Sequence, residues 1–355
     1  MANILIKGGS IFDGERFTFA DVLTDGNQIV KIGSDLLEQA DFVYDAKGKI
    51  VSAGLVDMHT HMKHITSDDY GIPIDAVCLP FGVTAAVEAS AIKGNQEILD
   101  SFAVKTLIFA ACTISDDTAD FGITEKMLNI FGEKCIGIKV FFDTTNGGLK
   151  SITPLHEICE FARVRKMKVM VHSSNSPTSM EEIINTLSKG DILTHIYHGG
   201  NNTIDVNDYA AYRKAWQKGV IMDVGMAGHV HTDFGVLKRA IDAGCLPDTI
   251  STDITKASAY KRGGRYGMTM CMNIAKTLGM REEDIFRAVT SNPTKALGKE
   301  QEWGYLRVGR CADIAVFDYT DEGFDLTDHA GNHIRNSEGY RCVLTISNGQ
   351  VVYRN

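Results

Sequence analysis

Two textures of apolar and polar positions divide the chain. Near the N-terminus, ILIKGG, ADVLTDGNQIVKIG and FVYDAKGKIV are short apolar runs cut by Gly and Asp, and GYLRVGRCADIAVFDY and YRCVLTISNGQVVYRN repeat that texture near the C-terminus. Runs of period two bounded by turn residues predict strands, and Asn348-Gly349 predicts a tight hairpin. The middle alternates differently. Runs rich in β-branched residues at 54–59, 82–88, 106–112, 135–142, 168–172, 191–195, 219–224 and 248–253 end in polar residues. Between most of them lie helical patterns such as EKMLNIFGE, PLHEICEFARVRK, SMEEIINTLSKG, DYAAYRKAWQKG and DFGVLKRAIDAG. Eight alternations of this kind predict an α/β fold, a (β/α)8 TIM-type barrel with parallel strands. Two further helices, at 268–279 and 282–298, should follow the eighth strand. The expected organisation is a barrel over 53–299 and a small β-sandwich domain made by both termini, from 1–52 and 300–355.

Composition narrows the functional classes. The 355 residues carry a formal net charge of −9, which argues against nucleic acid or an anionic membrane as partner. No apolar run approaches the ~18 residues of a membrane span. The first residues, MANILIKGGSIFDG, lack the basic and apolar regions of a secretory signal. The eight cysteines form no CxxC pair and sit in apolar runs, as reduced core residues do. A cytoplasmic, homo-oligomeric protein is the expectation.

In such a barrel the active site lies at the C-terminal ends of the strands. Strand one ends in His59-Thr60-His61, strand four carries Lys139, strand five ends at His172, strand six at His195 and strand eight at Asp253. Residues i and i+2 of a strand point to one side, so His59 and His61 can reach one ion. Neutral imidazole suits zinc and similar cations. Asp253 can bind an ion and exchange protons; the alternative is an N-cap, but ITKASAYKRGGRYG after it reads as a loop. Lys139 lies in the apolar strand GIKVFF. Burial lowers a lysine's pKa, and the neutral amine can add carbon dioxide to become a carbamate, an anionic ligand with two oxygens; the alternative is a lysine snorkelling to the rim or pairing with a substrate carboxylate. Loop residues beside the strand ends are candidate substrate contacts: His64, Asn175, Tyr197, His198, Arg262 and Arg265, with Ser176, Asp223, His229 and His231 nearby.

The chain resembles the amidohydrolase superfamily over nearly its full length. GLVDMHTH looks like its first-strand metal motif and GIKVF like its carboxylated-lysine strand. VMVHSS, ILTHIYHGG and ISTDIT are similar to its fifth, sixth and eighth strand ends, and TSNPTKALG with GYLRVGRCADIAVFD to the segment that returns to the β domain. KGDILTHIYHGG and CLPDTISTD carry a finer likeness to the dihydroorotase-like and deacetylase-like branch. The resemblance implies two divalent ions, zinc first and manganese second. His59, His61 and Asp253 would hold one and His172 and His195 the other, with carboxylated Lys139 and a hydroxide bridging them. It implies hydrolysis of an amide, cyclic amide or acyl ester, with Asp253 as general acid and base. The rival readings are a deaminase of an aminated ring and a barrel without catalysis that serves as a scaffold. The chain departs from relatives at Met226, where they often carry a histidine.

Overall fold

The computed structural model describes residues 3–145, 148–200, 202–228, 230–261 and 264–355. Seven parallel strands run side by side in chain order: Leu55–Thr60, Val83–Ala91, Lys105–Ser115, Cys135–Phe141, Lys168–His172, Ile192–Thr194 and Ile221–Asp223. Residues 249–254 close the ring, bridging in parallel to the seventh strand at Asp223↔Thr249 and to the first at Thr60↔Ile254. The eighth strand expected at 248–253 is thus two single bridges and not a ladder. Asp253 adopts φ +48°, which turns the chain out of the extended region that pairing requires.

The side-chain period of two explains how one sequence builds both a dry interior and a polar rim. Leu107, Phe109, Met170 and Ile192 pack in one apolar cluster, which Ile221 joins from its edge. Two residues further along the same strands stand His172, Thr194 and Asp223, paired across neighbouring strands as His172↔Thr194 and Thr194↔Asp223. Lys139 stands two residues after Gly137, where an added Cβ would lie 2.3 Å from the Phe109 ring and 2.6 Å from the Lys168 carbonyl oxygen. Glycine there leaves room for Phe109. A second, larger cluster fills the space between strands and helices, with Ile138, Val140, Leu155, Ile158, Val171 and Ile183 among its members.

Local chemistry sets the helix ends. Met180–Thr186 begins with a capping box between Ser179 and Glu182, and Phe234–Asp242 begins where Asp233 accepts the Val236 N–H at 2.9 Å. The single helix expected at 282–298 is two, Glu282–Val289 and Ser291–Leu297. Pro293 has no N–H and its ring would meet the Val289 carbonyl, so one helix cannot run through. The segment after Asp253, expected as a loop, contains the helix Lys256–Lys261; Thr255 and Ser258 open it by exchanging side-chain and backbone hydrogen bonds.

Both ends of the chain meet in one eight-stranded sheet, ordered Gln350–Arg354, Gly339–Ser347, Ile314–Thr320, Ile50–Ala53, Ile4–Phe12, Phe17–Asp25, Gln28–Gly33, with Phe42–Asp45 beside Ile4–Phe12. Ile50–Ala53 pairs antiparallel with Ile314–Thr320, and the sheet has its own core around Val22, Val51, Ile314, Val316 and Leu344. Among the described residues, no helix is long and apolar enough to cross a membrane.

The tight fit at Gly137 is testable. Gly137→Ala should destabilise the fold by about 1–3 kcal/mol, because backbone as well as a ring must shift. The measurement is the denaturant midpoint at constant slope; an unmoved midpoint would mean that the interior has slack.

Candidate metal centre

Each chemistry-bearing side chain sits where a strand leaves the barrel. His59 and His61 end the first strand, both buried, with ring centroids 5.7 Å apart. Asp253 Oδ1 lies 3.2 Å from His59 Nε2 and 2.9 Å from His61 Nε2. Lys139 Nζ is 3.2 Å from His59 Nε2. His195 Nε2 is 3.7 Å from Asp253 Oδ2, and the His172 and His195 rings are 4.5 Å apart. The six residues singled out at strand ends therefore form one cluster. His195 and Asp253 reach it with φ of +64° and +48°, a left-handed backbone that costs a non-glycine residue roughly 1–2 kcal/mol.

Two groups of three side chains bring one donor atom each within 4.8 Å of the others: His59, His61 and Asp253, and His172, His195 and His231. Neutral imidazoles with a carboxylate are the donor set of a zinc-like cation. Among the described residues, buried His172 Nδ1 and His195 Nε2 have no hydrogen-bond partner. Leaving such a group unmade costs about 1–3 kcal/mol, a cost that a bound divalent cation would remove. The donor set therefore fits such an ion.

The remaining ring nitrogens are mostly engaged elsewhere, and this aims the rings. His59 Nδ1 lies 3.2 Å from Thr194 Oγ1, whose hydroxyl donates to Asp223 Oδ2 at 2.7 Å. Asp223 also accepts from Thr249 Oγ1 at 2.8 Å and Ser251 Oγ at 2.7 Å. His61 Nδ1 faces Ser90 Oγ at 3.3 Å and Glu88 Oε1 at 3.4 Å. His195 Nδ1 donates to the Gly225 carbonyl at 2.7 Å, and His172 Nε2 faces Asp143 Oδ2 at 3.7 Å. Outer partners of this kind fix the tautomer and orientation of a ligating histidine.

Burial dominates the electrostatics. It holds His59 and His195 below the ordinary imidazole range, takes His172 down to about 3 and lowers the Lys139 amine to about 8. Burial opposes charge on His61 too, but the Asp253 and Glu88 carboxylates overcome it and raise that ring to about 9. Burial likewise opposes charge on Asp253, yet His59 and His61 keep its carboxyl well below the usual range.

The expected substrate contacts fare unevenly. Tyr197 is a correction: it is fully buried and its hydroxyl donates to the Cys245 carbonyl at 3.1 Å, a packing role among the loops. His64, Asn175 and Arg265 are exposed, and Arg262 and His229 lie outside the described residues. His198 is buried; its Nδ1 accepts the Gly200 N–H at 2.9 Å and its Nε2 has no partner. The cavity against the cluster, about 230 Å³, is lined by His61 and Asp253 together with Tyr70, Phe141, Val230 and Lys261. A larger hollow of about 960 Å³ lies at Lys105, Trp303 and Arg310 and contains none of the cluster. Lys105 begins the third strand, so that hollow faces the end of the barrel where chemistry is not expected. Three positions were not singled out in the sequence, Glu88, Asp143 and Thr194, and His231 was named only as a loop residue near the substrate contacts. Glu88 was findable, since it closes the apolar run GVTAAVE as the histidines close theirs.

The chain is similar to known proteins throughout. The profile of the amidohydrolase family matches residues 151–352. A deacetylase from Enterococcus faecalis is 27% identical, over 98% of this chain and 98% of that protein. Deacetylase Atu3266 from Agrobacterium fabrum is 28% identical, over 90% and 83%. A 5-methylthioadenosine/S-adenosylhomocysteine deaminase from Thermococcus onnurineus is 48% identical in an alignment over 99% and 94%. Among solved structures, a dihydroorotase superposes with a TM-score of 0.87 at 24% identity, covering all of both chains, and an adenine deaminase with 0.85 at 24% identity, covering 99% of each. The family match spans more than half of the sequence and falls on a barrel whose rim gathers candidate metal donors, and so this chain belongs to the amidohydrolase family, as a metal-dependent hydrolase.

Proposed function

We propose that the enzyme cleaves an amide, cyclic amide or acyl ester of a small molecule, using two divalent ions. His59, His61 and Asp253 would hold one and His172 and His195 the other, with carboxylated Lys139 as an anionic ligand between the two groups; zinc is the expected metal and manganese the second choice. The observation that carries this reading is Lys139, buried and 3.2 Å from His59 Nε2 amid unpartnered imidazole nitrogens. With its amine lowered to about 8 by burial, a far larger share is neutral near pH 7.5 than in an ordinary exposed lysine. Neutral Nζ attacks the carbon of carbon dioxide and releases one proton to solvent, leaving the anionic carbamate.

Bound divalent ions supply the charge that brings a water's pKa near neutrality and polarises the carbonyl under attack. The chain's own residues do the rest. Asp253 lines the cavity, and its Oδ2 takes the proton of the attacking water and returns it to the leaving nitrogen or oxygen. Tyr70, Phe141 and Val230 form apolar walls that orient the substrate and limit water. Every residue lining the cavity comes from the segment 53–299, which supports assigning catalysis to that segment and a supporting role to the sheet built from 1–52 and 300–355.

Deamination of an aminated ring is the second reading, favoured by the similarity to the Thermococcus deaminase. The full-length similarity to two deacetylases favours acyl hydrolysis. Assays of acyl amides, cyclic amides and acyl esters against zinc- and manganese-loaded protein, beside aminated purines, separate the two: carboxylate release supports the first, and ammonia release with no acyl hydrolysis replaces it. Asp253→Asn should keep the ions and lose about 10²–10⁴-fold in kcat, the usual worth of a proton-transfer group. A near-normal kcat would remove Asp253 from the mechanism. Lys139→Ala should lose bound metal and activity, with partial rescue by a short-chain carboxylic acid; full metal content by elemental analysis would rule out a bridging carbamate.

A further inference from the structure

We propose that His231 is a third imidazole ligand to the ion at His172 and His195, so that this ion is held by three histidines in addition to any carbamate. The inference rests on the reading above that His172 and His195 hold an ion. It adds a ligand that no strand end supplies.

The three rings converge. His231 lies 4.4 Å from His195 and 4.8 Å from His172 by ring centroids, while those two are 4.5 Å apart. One nitrogen from each lies within 4.8 Å of the others. Nitrogens around a single tetrahedral zinc stand about 3.4 Å apart, given bonds of about 2.0–2.1 Å. The rings therefore need to close by roughly an ångström, a small movement for a side chain that is only partly buried and lies in a loop. The available nitrogens agree with this: His172 Nδ1 and His195 Nε2 have no partner, and His231 Nδ1 meets Ser174 Oγ at 3.3 Å, which leaves Nε2 as its donor to an ion.

The loop that carries His231 is fastened on both sides. The Met226 and Ala227 N–H groups donate to the Ser251 and Thr252 carbonyls at 3.0 and 2.9 Å, and the Asp233 N–H donates to the Tyr197 carbonyl at 2.9 Å. Asp233 also caps the helix that follows. His231 is thereby held over the His172 and His195 rings by the strands on either side. Burial holds His231 and His195 below the ordinary imidazole range, and the rings beside His195 lower it further. Uncharged imidazoles are the form that binds a cation.

The test compares wild type and His231→Gly in zinc titrations against a competing chelator, with elemental analysis of bound metal. Wild type should hold two ions. The variant should hold one with at least tenfold weaker affinity, and added imidazole should restore it by filling the place of the lost ring. In cobalt-loaded protein the visible absorption should change with the substitution and return with imidazole. Imidazole rescue separates ligand loss from misfolding, and His231→Gln, with no ring nitrogen, should fail as the glycine variant does. Two ions of unchanged affinity in His231→Gly would overturn the proposal while leaving the two-ion reading intact. A wild type that binds no divalent ion would overturn both.

Discussion

The interaction on which the rest depends is desolvation at the rim of a closed barrel. His172, Thr194 and Asp223 stand one side-chain step above Met170, Ile192 and Ile221, so polar groups rest directly on a dry interior and are almost out of reach of solvent. A buried polar group without a partner is costly, and the rim meets that cost by pairing nearly every atom. Asp223 accepts three hydroxyls, and Glu88 takes the Ser90 N–H at 2.8 Å and faces His61. Among the described residues, the atoms left unpaired include His172 Nδ1 and His195 Nε2, on rings whose centroids lie 4.5 Å apart. The same burial holds His59, His172 and His195 neutral and lowers the Lys139 amine, while the carboxylates beside His61 raise that ring instead.

Strain supports this arrangement. His195 and Asp253 hold positive φ, uncommon for any non-glycine residue though Asp and His tolerate it better than most, and both contribute side chains to the cluster. The irregular closure of the barrel by residues 249–254 follows from the same demand. A regular eighth strand would alternate its side chains strictly between the two faces, whereas the turn at Asp253 places its carboxylate between His59 and His61. Regular pairing is given up where the site requires another direction.

The fold leaves the substrate open. Proteins of similar architecture include a dihydroorotase and an adenine deaminase, and function belongs to the site and not to the fold. In this chain the cavity wall is built from loop residues, Tyr70 and Val230 beside Lys261 on a short helix, while the donors below it come mostly from strand ends.

Much was legible in the amino-acid order alone. A period-two pattern ending in His, Lys or Asp marks a strand and its rim, because alternation and strand termination are local properties, and so the barrel and the convergence of His59, Lys139, His172, His195 and Asp253 follow from counting strands. The break between Glu282–Val289 and Ser291–Leu297 also has a local cause in Pro293, yet one helix was expected across 282–298. What only tertiary structure decided were contacts between residues distant in sequence: His59 with Thr194, His172 with Asp143, and His231 with both His172 and His195. Tyr197 went to the core for the same reason, since its hydroxyl found a carbonyl 48 residues away. A strand end announces itself by its neighbours in the chain, but a loop side chain takes its place from the surfaces that happen to pack against it, and those are set only when the ring of strands has closed.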